Sequence, residues 1–221
     1  VSHRAVRTVW IILGVSAAVA MGAETADVPV SKYVPLADLH GLELDDVLEA
    51  AALAKLTTWA SFLDPDFEHS RHVATLALQL FDGLAKARVP GSFGEANARR
   101  ILHGAALLHD VGRSQGRRGH HKASCRLIRA ISPPLGWTAE ELEMAALVAR
   151  YHRGPTPREQ HQGFGRLPPE NREKLIALAG VLRLANAFDA EREAAVRRLE
   201  VENTGEAIVV RALGYAGLEP H

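Results

Sequence analysis

The stretch Leu107–Gly112, which reads Leu-Leu-His-Asp-Val-Gly, decides the fold of this chain. Apolar residues before it recur at helical spacing, which predicts a helix over Ala96–Leu108 with one buried face. Gly112 is expected to stop that helix. His109 and Asp110 at a helix end offer an imidazole and a carboxylate, which zinc, manganese and iron accept together. The pair therefore predicts metal ligands, and the alternative is a polar helix end without a function.

Composition favours one large helical domain, or such a domain with an appendage. The chain has 221 residues, of which 47% are hydrophobic and 5% are aromatic, so it can bury a core rich in alanine and leucine. The formal net charge of zero gives no global attraction to duplex nucleic acid or to a membrane. A single cysteine, Cys125, excludes an internal disulfide and is typical of a reducing compartment. We therefore expect a cytoplasmic protein.

Residues 1–23 allow two interpretations. Arg4 and Arg7 precede the apolar run Val9–Ala20, which is the pattern of a secretory signal and would make the protein exported. The same run also fits a buried helix, followed by an alternating strand over Asp27–Val34. A helix and a strand in this order would close an α/β domain, and we favour this second interpretation.

From Asp45 onward the pattern is almost purely helical. Helices are predicted over Val47–Leu63, Phe67–Ala87, Ala96–Leu108 and Pro169–Glu193, with shorter ones starting at His120 and at Ala139. Ser92–Glu95 and Thr138–Glu141 each fit a capping box at a helix start. The tail Leu199–Val210 alternates and turns at Asn203–Gly205, which predicts a small β-hairpin.

Most of the eleven histidines lie between His69 and His161. His69 lies one turn before Val73 on the apolar stripe of the second predicted helix, so its side chain is expected to face inward. An inward histidine is either a satisfied core residue or a ligand, and the local pattern leaves both open.

Between Val111 and Ala139 the chain has no acidic residue but is rich in basic ones. These are Arg113, Arg117, Arg118, Lys122, Arg126 and Arg129. Arginine and lysine are the side chains that bind phosphate, so this run predicts an anion site beside the His109–Asp110 pair. The alternative is a solvated loop and helix face.

The order of these motifs resembles the HD superfamily of metal-dependent phosphohydrolases. Within it, the chain resembles the helical C-terminal domain of the exopolyphosphatase and guanosine pentaphosphate phosphohydrolase family. The resemblance covers about residues 45–215. It is carried by Glu68–Val73, Leu78–Asp82, Ala105–Gly112, His120–Ser124 with Leu127-Ile128, Ala149–Arg153 and Leu182–Asn186.

The resemblance implies a mostly α fold, an HD-type bundle of six or seven helices with short β segments at both ends. Residues 46–196 would form the bundle and residues 197–221 the hairpin tail. Residues 1–45 would be a remnant of the family's actin-like α/β domain. Most of that domain, with its phosphate-binding glycine loops, has no counterpart here, so the family's polyphosphate chemistry cannot be assigned from the resemblance.

The resemblance also implies a site. The metal ligands would be His69, His109, Asp110 and Asn186, holding a divalent ion (Mn, Mg, Zn or Fe). His121 and His152 would bind a second ion or stabilise the leaving oxygen, which makes His109, Asp110, His121 and His152 the catalytic set. Lys122, Arg150, Arg153 and Arg113 would bind phosphate.

The sequence departs from the HD pattern at Asn186, where the family has an aspartate ligand. A neutral amide is a poorer ligand than a carboxylate, and Asp189, one turn away, is where the family has a second, non-ligating acid. Two functions therefore remain open: a metal-dependent phosphohydrolase, or a non-catalytic domain that binds polyphosphate or a nucleotide. Either implies a phosphorylated small molecule or polyphosphate as partner, with no nucleic-acid duplex and no membrane, and a homodimer is one candidate assembly.

Overall fold

The computed structural model describes residues 10–12, 33–35 and 44–214, which are mostly α-helical as predicted. The helices are α1 (Leu44–Leu63), α2 (Phe67–Lys86), α3 (Ala96–Leu108), α4 (His120–Arg129), α5 (Ala139–Tyr151), α6 (Gln162–Gly165) and α7 (Pro169–Phe188). The strands are β1 (Trp10–Ile12), β2 (Tyr33–Pro35), β3 (Arg198–Asn203) and β4 (Ile208–Leu213). None of these helices is long and apolar enough to cross a bilayer.

The chain divides into two compact units, Val1–Lys55 with Pro134–Gly136, and Leu56–Pro133 with Trp137–His221. In the first unit, β1 and β2 pair antiparallel, with Trp10 opposite Pro35. The expected helix over Val9–Ala20 is therefore wrong at Trp10–Ile12. An aromatic residue and two isoleucines suit a strand, and a short apolar run does not separate the two states. The strand prediction is correct at Tyr33 and Val34, and the remainder of both predictions lies outside the described residues.

The second unit is a helical bundle in which α2 packs on α3 and α7, and α5 packs on α3, α4 and α7. Fully buried side chains from these helices form the core, among them Leu76, Leu80, Leu102, Leu108, Val148, Leu178 and Leu182. The predicted hairpin is confirmed as β3 and β4. It packs on α2, where Leu199 N donates to Gln79 Oε1 at 2.7 Å.

The two predicted capping boxes have different outcomes. At α5, the Thr138 hydroxyl accepts from Glu141 N while the Glu141 carboxylate accepts from Thr138 N, so this capping box is confirmed. At α3, the N-cap is Glu95 and makes no side-chain capping bond, so the box over Ser92–Glu95 is wrong. The physical reason is that the Glu95 carboxylate pairs with Lys174 Nζ at 2.7 Å instead.

Gly112 does not stop a helix, and this expectation is wrong. Helix α3 ends at Leu108, and Gly112 lies inside a 3₁₀ turn, Val111–Gln115. A Cβ on Gly112 would lie 2.2 Å from His120 O and 2.4 Å from Ser124 N. The residue is glycine because the backbone of α4 approaches it closely.

Ser124 fixes this approach by hydrogen bonds. Gly112 N donates to Ser124 Oγ at 2.9 Å, and Ser124 Oγ donates to His109 O at 2.6 Å. These bonds hold the first turn of α4, with His120, against the His109–Asp110 pair.

Candidate metal centre and basic cleft

Four buried histidines converge on Asp110 from four helices of the second unit. His69 comes from α2, His109 and Asp110 follow α3, His120 begins α4 and His152 follows α5. The ring centroids are 5.5 Å apart for His69 and His109, 4.8 Å for His109 and His152, and 5.2 Å for His120 and His152. Each residue lies at or near a helix end, which lets separate helices contribute to one centre.

Three of these rings are oriented by the main chain. The Nδ1 atoms of His109, His120 and His152 donate to the carbonyl oxygen three residues earlier, at 2.7, 2.9 and 2.7 Å. A hydrogen bond at Nδ1 fixes the tautomer and directs Nε2 inward. His109 Nε2 is buried and has no hydrogen-bond partner. An unpartnered buried nitrogen of this kind is what a metal ligand leaves when no ion is bound.

The two oxygens of Asp110 face different chemical environments. Oδ1 lies 3.2 Å from His120 Nε2, 3.7 Å from His152 Nε2 and 3.8 Å from His109 Nε2. Oδ2 accepts hydrogen bonds from Arg113 Nη1 at 3.1 Å and Arg192 Nη2 at 2.7 Å. Burial opposes ionisation of Asp110, but the hydrogen bonds from His120 and Arg192 hold its pKa well below the usual range.

Two sets of three ligand atoms could each hold an ion. We call His69, His109 and Asp110 the α2–α3 group, and Asp110, His120 and His152 the α4–α5 group. In each group the ligand atoms lie within 4.8 Å of one another. Burial lowers the pKa of His109 and lowers that of His152 well below its ordinary value. His109 and His152 are thus in the neutral form that metals bind. The hydrogen bond to Asp110 raises the pKa of His120, so that ring has to lose a proton before it binds an ion. Imidazoles with a carboxylate are a donor set that suits a divalent transition metal.

His69 is held by side chains rather than by the main chain. Its Nδ1 lies 2.7 Å from Asp189 Oδ2 and its Nε2 lies 3.0 Å from Asn186 Oδ1. Asp189 is buried and also accepts from Ala194 N at 2.9 Å, so it orients both the ring and the following turn. Asn186, at the position where the HD pattern has an aspartate, therefore contacts His69 Nε2.

A basic cleft of about 620 Å³ opens beside the α4–α5 group. Its lining within the described residues contains no carboxylate. The cationic side chains are Arg113, Arg117, Arg118, Arg153 and Arg192, and His120 and His121 complete the wall with two glycines. Guanidinium groups converging without acids suit a ligand with several phosphate oxygens.

The remaining predicted site residues are spread around this cleft. Arg113 and Arg153 line it, whereas Lys122 and Arg150 are not part of its lining. Arg150 lies over the Tyr151 ring, 5.4 Å from the ring centroid. His121 belongs to neither ligand group but lines the cleft, where burial and the charge of Arg150 lower its pKa to about 4.

Sequence reasoning missed His120 and Arg192. The adjacent pair His120-His121 gave a signal, but periodicity alone did not show which ring faces Asp110. Arg192 was placed in a helix predicted to reach Glu193, whereas α7 ends at Phe188. The helix ends there because the Asp189 side chain bonds to His69 and to Ala194 N, and Arg192 follows with a left-handed φ of 62°.

The fold and these motifs agree with a family comparison. The model of the Ppx/GppA phosphatase family, domain III, matches residues 54–210. The chain belongs to this family. The resemblance seen in the order of the sequence motifs is thereby confirmed.

Shorter matches connect the chain to bifunctional uridylyltransferase/uridylyl-removing enzymes. The protein from Novosphingobium aromaticivorans is 35% identical over 89 residues, which are 38% of this chain and 10% of that protein. The protein from Azospirillum brasilense is 43% identical over 56 residues, 25% of this chain and 6% of that protein. The chain thus spans a tenth or less of the length of these relatives.

Proposed function

We propose that this domain catalyses the metal-assisted hydrolysis of a phosphate ester or anhydride. One observation carries the proposal: a buried carboxylate, Asp110, is shared by two groups of inward-facing histidine Nε2 atoms beside a cleft lined by arginines. Family membership supports it, because the family is named for phosphatases.

The residues of this chain would have separate roles in the reaction. The α2–α3 and α4–α5 groups would hold divalent ions, which lower the pKa of a bound water and polarise phosphorus–oxygen bonds. The hydrogen bonds at Nδ1 of His109, His120 and His152 keep the rings oriented. Arg113 and Arg153 would bind phosphate oxygens in the cleft. His121, which is neutral because of its lowered pKa, can accept a hydrogen bond from a protonated phosphate oxygen without adding charge.

The relatives favour an ester substrate over an anhydride. Their name includes uridylyl removal, and a uridylyl group is a nucleoside phosphoryl group, so releasing it from a hydroxyl breaks a phosphodiester. We propose a nucleotidyl phosphodiester as the first substrate class to test. Polyphosphate or a phosphorylated small molecule remains the partner that the sequence resemblance implies.

A second function is favoured by two observations at the same centre. Asn186 replaces a carboxylate ligand, and Asp110 Oδ2 is already bound by Arg113 and Arg192. These features suit a non-catalytic domain that binds polyphosphate or a nucleotide in the basic cleft and regulates a larger assembly. A cytoplasmic location and a homodimer remain predictions for either function.

The test is hydrolysis of p-nitrophenyl phosphate, bis-p-nitrophenyl phosphate and polyphosphate by the purified chain with Mn²⁺, Mg²⁺ or Zn²⁺. We expect metal-dependent turnover that Asp110→Asn abolishes. Asp82→Asn is the matched control, because Asp82 pairs with Arg99 on the surface. Turnover by the parent no faster than that of Asp110→Asn would contradict catalysis. If the parent then also binds polyphosphate, and Arg153→Gln weakens that binding, the result supports the binding function.

A further inference from the structure

Arg192 bridges two carboxylates at the edge of the candidate metal centre. Its Nη2 donates to Asp110 Oδ2 at 2.7 Å and its Nη1 donates to Asp66 Oδ2 at 2.6 Å. The Asp110 side chain is 2% exposed and that of Arg192 is 28% exposed. We propose that Arg192 is a built-in cation that competes with a divalent metal ion for Asp110, and that Asp66 holds it in place. The proposal rests on the proposed function only in taking Asp110 as a metal ligand.

The turn that carries Arg192 directs its side chain toward Asp110. Arg192 N donates to Asp189 O at 3.0 Å, and Ala194 N donates to Asp189 Oδ1 at 2.9 Å. Arg192 and Ala194 both adopt the left-handed region, with φ of 62° and 50°, which non-glycine residues occupy only when surrounding contacts compensate. Asp189 thus orients His69 and also fixes the turn that directs the guanidinium at Asp110.

Arg192 also lies on the wall between two clefts. One is the basic cleft beside the α4–α5 group. The other has a volume of about 310 Å³ and is lined by Asp66, His69, Thr75 and Asp189 among others. Arg192 lines both. Movement of its side chain away from Asp110 would free a carboxylate oxygen at the wall that the two clefts share.

The competition follows from the hydrogen bonds of Asp110 Oδ2. This oxygen receives donors from Arg113 and from Arg192, so neither of its lone pairs is free for a metal ion. Asp110 can then offer an ion only Oδ1, the oxygen that faces the histidines, and its negative charge is already partly neutralised by the two guanidinium groups. Arg113 is three residues away in the chain, whereas Arg192 is 82 residues away and has Asp66 as a second anchor. Arg192 makes the shorter of the two bonds to Oδ2, 2.7 Å against 3.1 Å, and charge-assisted bonds are the strong ones, so Arg192 is the donor whose removal should change metal affinity most.

The experiment is a calorimetric titration of the full chain with Mn²⁺ and with Zn²⁺, without any substrate. Arg192→Gln should raise the affinity about tenfold, within the usual range for coupled binding events. Arg113→Gln should raise it less. Arg211→Gln is the matched control, because Arg211 pairs with Glu202 on the exposed hairpin. The metal affinity of this variant should equal that of the parent. Repeating the titrations in a His120→Gln background confines binding to the α2–α3 group.

Asp66→Asn separates competition from net charge. Losing a nearby acid lowers cation affinity if charge alone matters, but it raises affinity if Asp66 holds Arg192 on Asp110. Arg192→Lys, whose single ammonium cannot bridge both carboxylates, should fall between the parent and Arg192→Gln and serves if the glutamine variant does not fold.

Each outcome decides the proposal. Higher affinity in both Arg192→Gln and Asp66→Asn supports it. Lower metal affinity in Asp66→Asn, together with equal gains in Arg192→Gln and Arg113→Gln, overturns it. Net charge alone would then explain the changes in affinity. Equal binding by the parent and all variants overturns it while the metal centre stands. Failure of every variant to bind metal overturns both the proposal and the metal-assisted function.

Discussion

The two ligand groups share Asp110 but are held in different ways. In the α4–α5 group, His120 and His152 are oriented by main-chain carbonyls. In the α2–α3 group, His69 is held by the side chains of Asp189 and Asn186. A carbonyl is present whatever residue supplies it, so the orientation of the first group depends on backbone packing. In the second group His109 is also oriented by a carbonyl, but the orientation of His69 depends on residue identity, and Asn186 is where this chain departs from the HD pattern.

The largest expected effect is on the backbone packing that supports the α4–α5 group. Gly112→Ala places a Cβ 2.2 Å from His120 O and 2.4 Å from Ser124 N, and neither backbone atom can give way cheaply. We expect a loss of more than ~3 kcal/mol in the free energy of unfolding, the upper end for overpacking. Urea unfolding followed by circular dichroism measures it.

Gly180→Ala is the matched control for that substitution. Gly180 is in the interior of α7, and a Cβ there meets nothing within 4 Å. Alanine should stabilise the protein by about 0.5–1 kcal/mol through helix propensity. A similar loss of stability in both variants would show that the close approach of α4 to Gly112 is not what makes glycine necessary.

Ser124→Ala should have the next largest effect. The hydroxyl accepts from Gly112 N and donates to His109 O, and alanine leaves both main-chain groups buried without this partner. We expect a loss of about 2 kcal/mol in the free energy of unfolding. An unsatisfied buried polar group usually costs about 1–3 kcal/mol. Ser61→Ala, which removes an exposed hydroxyl bonded to Thr58 O, should stay close to the parent. Equal unfolding midpoints for the two variants would contradict the role given to Ser124.

How much of this centre was predictable depends on how each residue is positioned. Local periodicity predicts α3, α5 and the inward face of α2, so the inward side of His69 and the helix-end position of His109 and Asp110 could be predicted from the sequence. That these residues share one site was implied only by the family resemblance. His120 could not be separated from His121, because the rotation of α4 is set by its contact with Gly112. Contacts between distant segments leave no local pattern.

Two further misses have the same origin. Arg192 lies 82 residues from Asp110, and its approach depends on where α7 ends. That end is set by the bonds of Asp189 to His69 and Ala194, which no spacing rule shows. The strand at Trp10–Ile12 was missed because three apolar residues fit a helix and a strand equally well.

Asn186→Asp tests the side-chain-held α2–α3 group, with a smaller effect. Asn186 Oδ1 lies 3.0 Å from His69 Nε2, so a carboxylate there could bind the same ion as His69, His109 and Asp110. Without metal, the added acid lies near Asp189 and Asp110, and we expect slightly lower stability. Mn²⁺ should raise the free energy of unfolding of the variant more than that of the parent. The difference is about 1.4 kcal/mol for each tenfold gain in affinity when the ion is in excess.

Thermal melts of parent and Asn186→Asp, each with chelator and with Mn²⁺, measure this difference. Asn203→Asp is the control, since Asn203 is exposed on β3 and donates to Ala87 O. Metal-induced shifts of equal size in the parent and in Asn186→Asp would mean that position 186 does not contribute a ligand.

The smallest expected effect is a pH dependence outside both ligand groups, at His103 on α3. Burial, helped by the charge of Arg99, lowers the pKa of His103 below its ordinary value. The unfolded chain therefore takes up a proton on His103 at a higher pH than the folded protein does. Stability is unaffected by this group above the unfolded pKa and falls as the pH drops below it. The loss should stay under about 1 kcal/mol, because His103 keeps some solvent contact.

His103→Gln should remove this part of the decline between pH 7 and pH 5, and His161→Gln, in the loop before α6, is the control. Parallel pH profiles for the parent and His103→Gln would show that burial of His103 does not oppose its protonation.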